Sequence, residues 1–267
     1  MRWYRSPKMI QRGMLALLGV FIIAPLGWGI LRSFENPVPY VTENIFMFLH
    51  RYLSLEQYGQ VLFHDLEYWI SYWNTILLTV PTLLLAMLIA SMAAYGLTIM
   101  ENKPQNRILS GYVVLSLLPV QMLPVPQLIA LSNMHLRGSR LAVILIGGFT
   151  PWYLFFLHRL CRRVPEGVFE MARIEGAGEW TIFRRIALPQ MRLGLLVFGI
   201  IVSADLWSMV EEPLVYIQDV TKYPLSVFFS EAEGEVSYAG AVVFSLPVVL
   251  LFLSGIRGVI EKEEKQG

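Results

Sequence analysis

Charge is scarce in this 267-residue chain, where Asp, Glu, Lys and Arg make up 15% of the residues and hydrophobic types 55%. Ordinary soluble domains carry about 25% and 45–50% respectively. The 21 basic and 20 acidic side chains are too few to coat a soluble globule of this length, which excludes most soluble enzymes. The net charge of +1 supplies no basic field, so a nucleic-acid partner is not expected. A single cysteine, Cys161, excludes a disulfide framework and a Cys-based metal site. The four histidines, His50, His64, His135 and His158, are widely spaced with no H-E-x-x-H, so no metal site is expected. There is no G-x-S-x-G elbow and no G-x-x-x-x-G-K-[ST] loop, hence no hydrolase nucleophile and no phosphate cradle. No repeat of 20–50 residues occurs, and 13% aromatics speak against disorder.

Long apolar runs are abundant instead. Crossing a bilayer takes about 20 mostly apolar residues in a helix. Six stretches qualify: 13–31, 73–99, 108–131, 141–160, 193–210 and 239–258. The expected fold is therefore all-α, a polytopic membrane protein of six helices forming one domain over 1–267. The third stretch holds Pro119, Pro124 and Pro126. Bilayer helices tolerate such breaks where neighbours or a wet cavity satisfy the freed backbone groups. It reads either as a kinked bundle member or as a broken helix lining a pathway.

The first run follows Arg2, Arg5, Lys8 and Arg12 as a secretory signal would. It exceeds the 7–15 apolar residues of a signal core, and Leu31-Arg32-Ser33-Phe34 is a poor cleavage context, so a retained helix is expected. With both termini cytoplasmic, sixteen of the 21 Lys and Arg residues fall inside, a bias that orients the chain. The longest outside segment, 32–72, is aromatic-rich, and Leu53 to Tyr72 has the makings of an amphipathic helix lying on the membrane surface. In the second span Ala86, Ala90 and Ala94 form a small-residue stripe, a packing surface for another helix.

The cytoplasmic segment 161–192 carries the most information. Pro165 suits a first helical position, and Glu166 and Glu170 complement the N-terminal dipole. Ala172, Gly176 and Ala177 leave one side nearly bare, which lets another protein approach the backbone. Gly178 is expected to end this helix, and a second helix from Glu179 to Leu188 to stop at Pro189. The bland alternative is a short interfacial helix that only satisfies the membrane.

Glu170-Met171-Ala172, three residues, Gly176, nine residues, then Ile186-Ala187-Leu188-Pro189 resembles the EAA loop of ABC importer permeases. Every anchor spacing agrees, with Met171 in place of one alanine. The likeness covers most of the chain and is greatest to the maltose-type carbohydrate permeases. It includes Glu56-Gln57-Tyr58, Asn74-Thr75, Ala94-Tyr95-Gly96, Leu118-Pro119, Thr150-Pro151, Phe156-Leu157 with Arg159, and Trp207 with Pro213-Leu214. Ser208 stands where the family often has asparagine, and Glu175-Gly176-Ala177 where it often has Asp-Gly-Ala. The resemblance implies a pore subunit with no catalytic residues of its own. Glu170, Met171, Ala172, Gly176, Ala177, Ile186, Leu188 and Pro189 would dock on an ATPase. The implied partners are a second, non-identical permease subunit, two ATPase subunits that bind ATP and Mg, an extracytoplasmic solute-binding protein and membrane lipid. The implied location is a bacterial cytoplasmic membrane.

Candidate pathway residues are Asn74, Gln121, Asp205 and Trp207. A mid-membrane carboxylate costs about 2.5–3.5 kcal/mol on insertion scales and usually faces the bundle interior or water. Asp205, with Trp207 nearby, fits a sugar path; a structural hydrogen bond or a shallow, wet position fits equally. The acidic run Glu231 to Glu235 reads as a solvated loop or a contact for a binding protein. The expected function is ATP-driven import of a sugar or oligosaccharide by alternating access. The alternatives are import of another small solute, or a stand-alone secondary transporter or channel.

Overall fold

A computed structural model of the chain describes residues 6–35, 54–100, 102–149, 151–231 and 237–264. Among them the regular structure is helical; extended backbone pairs only in an isolated parallel bridge between Gly138 and Ile217. In chain order the helices are α1 (Ser6–Ser33), α2 (Glu56–Phe63), α3 (Leu66–Thr98), α4 (Asn102–Ser116), α5 (Pro124–Asn133), α6 (Arg140–Gly147) and α7 (Pro151–Cys161). They continue as α8 (Glu166–Ile174), α9 (Glu179–Ile182), α10 (Leu188–Trp207), α11 (Glu211–Tyr216), α12 (Leu225–Glu231) and α13 (Tyr238–Glu264). Short 3-10 turns lie at Val120–Met122 and Val220–Lys222.

Among the described residues, four helices are long and apolar enough to cross a bilayer: Gln11–Ser33, Leu66–Thr98, Glu179–Trp207 and Tyr238–Gly255. They coincide with the first, second, fifth and sixth expected spans. The third and fourth are not continuous helices. In the third, α4 stops at Ser116 and a 3-10 turn follows Pro119. That proline has no N–H to extend the ladder. Pro124 then opens α5, where a missing N–H costs nothing. In the fourth, α6 ends at Gly147 and α7 begins at Pro151. Ser139 caps α6 by accepting from the Ala142 amide at 3.3 Å. Each half is too short to span a bilayer alone.

The chain divides into two compact units, Met1–Trp69 with Ala232–Leu246, and Ile70–Glu231 with Pro247–Gly267. In the first, α2 is held to the end of α1. The Ser33 and Tyr58 hydroxyls lie 2.7 Å apart, and Gln57 Nε2 donates to the Glu35 carbonyl at 2.6 Å. The expected surface helix from Leu53 to Tyr72 is broken at His64–Asp65. The Asp65 carboxylate accepts from the Tyr68 amide at 2.8 Å and so starts α3 afresh. Leu53 itself lies outside the described residues. Most large apolar side chains of α1, Met14, Phe21 and Leu26 among them, are exposed.

The second unit is built round α3, α7 and α10. Ala86, Ala90 and Ala94 are buried, as a packing stripe should be, and the last two share a core with Tyr153, Leu154, Leu157 and Phe198. Tyr153 meets Phe198 edge to face at 4.1 Å. The Leu160 side chain of α7 fills the space beside Gly194 of α10: a β-carbon there would stand 1.9 Å from Leu160 Cδ1. A second core gathers Leu78, Leu131, Ala142, Val143, Tyr216 and Ile217.

Candidate functional site

The loop between α7 and α10 is organised by three local devices. Pro165 sits one position earlier than expected, at the N-cap with φ −58° and ψ 135°, and α8 begins at Glu166. Gly176, at φ +84°, ends α8 in the left-handed conformation that only glycine adopts without strain. Its amide donates to the Arg173 carbonyl at 3.0 Å, and the Ala177 amide to Ala172 O at 3.0 Å. These are the two bonds of a Schellman cap. Gly178 therefore does not end α8; its extended backbone forms the N-cap of α9.

Nor does a helix end at Pro189. Residues 179–207 form one helical run in which Phe183–Ala187 is a π turn, the Leu188 amide bonding back to Phe183 O. The wider turn leaves room for the proline ring, which would otherwise clash with the carbonyl four residues back.

The helix α8 turns Phe169 and Ala172 inward. Met171 and Ile174 lie on the opposite side, Ile174 86% exposed, with the 40% exposed Val168 at its margin and Glu166 and Glu170 also in solvent. Ala172 thus faces the chain's own core, and the side open to a partner is apolar rather than bare. Ala177, Ile186 and Leu188 are half-buried against that core, while Gly176 and Pro189 are exposed.

Residues outside the EAA pattern hold this loop. Tyr95 Oη donates to Glu179 Oε2 at 2.5 Å, and Arg173 Nε donates to Glu179 Oε1 at 2.7 Å. The hydrogen bond to Glu179 raises the already high pKa of Arg173. The Tyr95 ring lies 5.9 Å from Phe169 and 5.6 Å from Phe183. Two opposite charges six residues apart across a glycine turn were the available signal for the Arg173–Glu179 pair; nothing local pointed to Tyr95. His158, near the end of α7, is buried. Its Nδ1 is 3.1 Å from Thr98 Oγ1 and 3.4 Å from Ala94 O.

The pathway candidates separate. Asn74 is 3% exposed and acts as a clasp. Its Nδ2 donates to Thr221 O at 2.8 Å and Tyr223 O at 3.0 Å, and its Oδ1 accepts from Arg140 Nη2 at 2.5 Å. Beside it Thr75 Oγ1 accepts from the Leu225 amide at 2.9 Å. Trp207 is buried, edge to face with Tyr72 at 5.8 Å, whereas Asp205 and Gln121 are exposed. Two residues apart on a helix, Asp205 and Trp207 point to nearly opposite sides, so they do not form the expected pair. Thr150 and residues 232–235 of the acidic run lie outside the described residues.

A helical fold with four helices long and apolar enough to cross a bilayer and a capped loop before the third of them defines a class, and the sequence agrees. Residues 64–259 match the family described as the binding-protein-dependent transport system inner membrane component, and the chain belongs to it. It is thus a multi-pass protein of the permease-subunit type. Among its relatives is the permease protein NgcG of a diacetylchitobiose uptake system in Streptomyces coelicolor. That relative is 29% identical, covering 94% of this chain and 81% of its own. The arabinooligosaccharides permease AraQ of Halalkalibacterium halodurans is 24% identical, covering 90% and 87%. A chain from the crystal structure of a bacterial ABC transporter involved in alginate import shares the fold. Its TM-score is 0.78 at 19% identity, over 98% of this chain and 99% of that one.

Proposed function

We propose that this chain is one of two non-identical membrane subunits of an ATP-driven importer for a sugar or oligosaccharide. The observation that carries the reading is the exposed apolar stripe Val168, Met171 and Ile174 on the capped helix α8. An exposed apolar side on a charged loop marks a protein contact. Saccharide transport by the named relatives supports the solute class. In this reading the chain crosses a bacterial cytoplasmic membrane six times with both ends inside, the third and fourth crossings being the broken helices.

Two separate ATPase subunits bind ATP and Mg, and one of them seats α8. An external binding protein delivers the solute. Alternating access then requires that α8 interact differently with the two ATPase states, since only differential contact shifts an equilibrium. Asp205 and Gln121, both exposed, are the residues of this subunit that meet the solute; Asn74 and Trp207 act by shaping the helices behind them.

The test is reconstitution of the co-purified complex in proteoliposomes with its binding protein and a panel of labelled saccharides. ATP-dependent uptake of one panel member is expected. Uptake without ATP, or purification free of any Walker A subunit, overturns the reading.

A further inference from the structure

The helix α8 is nine residues long, shorter than a helix that holds itself in water, and it buries only Phe169 and Ala172. Whatever grips it therefore decides where its movement goes. The grip is aromatic and ionic at once. Phe169 meets the edge of Tyr95, whose other neighbour is Phe183 in the π turn. The Tyr95 hydroxyl and the Arg173 guanidinium both donate to one carboxylate, that of Glu179, at 2.5 Å and 2.7 Å. A single side chain thus joins the last turn of α8, the first turn of α9 and the end of α3. Tyr95 is 6% exposed, so it is fixed in the core. Hydrogen bonds to a charged acceptor are the strong kind.

The far end of the same helix is also tied down. Asn74, Thr75 and Thr79 bind backbone of residues 206 and 221–225. From 74 to 95 the helix is about 31 Å long at 1.5 Å per residue.

We propose that Tyr95 is the positioning residue through which displacement of α8 enters α3, with Glu179 as the joint and Arg173 holding that joint in register. The proposal rests on the reading that α8 seats an ATPase. Movement of α8 then shifts α3, which runs on as one helix through Pro81, and the clasp at Asn74 carries it to the segment 221–225. An Arg–Glu pair alone, half-exposed, contributes little; the Tyr95 hydroxyl is what makes the pair reach α3.

Tyr95→Phe removes that hydroxyl and keeps the ring contacts. In proteoliposomes containing the full complex and its binding protein, labelled saccharide taken up per ATP hydrolysed is expected to fall about threefold to tenfold. Assembly, followed by size-exclusion chromatography, stays at the wild-type level, and ATP hydrolysis by the other subunits continues. Glu179→Gln, which loses the Arg173 pair as well, falls at least as far. The exchange Arg173→Glu with Glu179→Arg recovers most of the coupling, because the hydroxyl then accepts from a guanidinium.

A Tyr95→Phe complex with the wild-type ratio overturns the proposal, as does a parallel loss of assembly and uptake. An exchanged pair that stays at the Glu179→Gln level overturns the assignment of the joint. If the wild-type complex itself shows no ATP-dependent uptake, the docking reading fails and this proposal with it, an outcome distinct from a wild type that couples beside a Tyr95→Phe that couples equally.

Discussion

Gly176 is the position where sequence and structure give different physical reasons for the same residue. The sequence points to close approach by a partner; the structure adds a backbone at φ +84°. Beyond its two chain neighbours, no described heavy atom lies within 4 Å of the place a β-carbon would take. Within this subunit the penalty for a side chain is therefore conformational alone. For alanine in the left-handed region it is about 1–2 kcal/mol, which shifts the balance between capped and frayed helix end by roughly 5- to 30-fold. Asparagine tolerates that region and valine does not.

Conformation thus ranks the substitutions glycine, asparagine, alanine, valine in falling order of function. Close approach by a partner ranks them by size instead, with alanine ahead of asparagine. The assay is hydrogen exchange at the Gly176 and Ala177 amides in the purified subunit, together with ATP-dependent uptake by the complex. Faster exchange with Gly176→Ala than with Gly176→Asn is expected. Gly176→Trp, which combines strain and bulk, should abolish substrate-stimulated ATP hydrolysis and leave membrane insertion intact. A Gly176→Ala protein that exchanges and transports like wild type would refute the conformational argument.

Two further predictions concern the frame around the loop. Asn74→Ala removes the side-chain partner of the part-buried Thr221 and Tyr223 carbonyls and of the Arg140 guanidinium; at about 0.5–1.5 kcal/mol per hydrogen bond lost it should lower the thermal midpoint of the detergent-solubilised protein and speed exchange across 217–225. Gly194→Leu forces side-chain atoms into Leu160, already 1.9 Å from a β-carbon; overpacking of this kind costs about 1–3 kcal/mol. Monodisperse yield should fall with Gly194→Leu and return when Leu160→Ala is added.

Much of the architecture was legible because hydropathy and proline position act locally. The four long spans and the two interruptions follow from runs of apolar residues and from prolines that cannot extend a helical ladder. The turn after α8 was legible through its glycines, although Gly176 and not Gly178 ends the helix. The devices that follow it were not. That Pro189 sits inside a continuous helix depends on the π turn at Phe183–Ala187, a redistribution of hydrogen bonds that no residue type announces. The single surface helix expected over 53–72 failed because Asp65 is a better cap than an interior residue.

What the sequence by itself determined is the solvent this protein lives in and the family it belongs to. Those depend on composition and short-range order. The tertiary structure decided which side of each helix is inward. It buries Trp207 and exposes Asp205, turns Ala172 to the core and Met171 to the outside, and brings Tyr95 to Glu179 and Asn74 to Thr221. Helix α10 is apolar all round, so no stripe in its sequence marks a buried face. Only packing against α3 and α7 sets its rotation, and with it which polar side chains stay exposed.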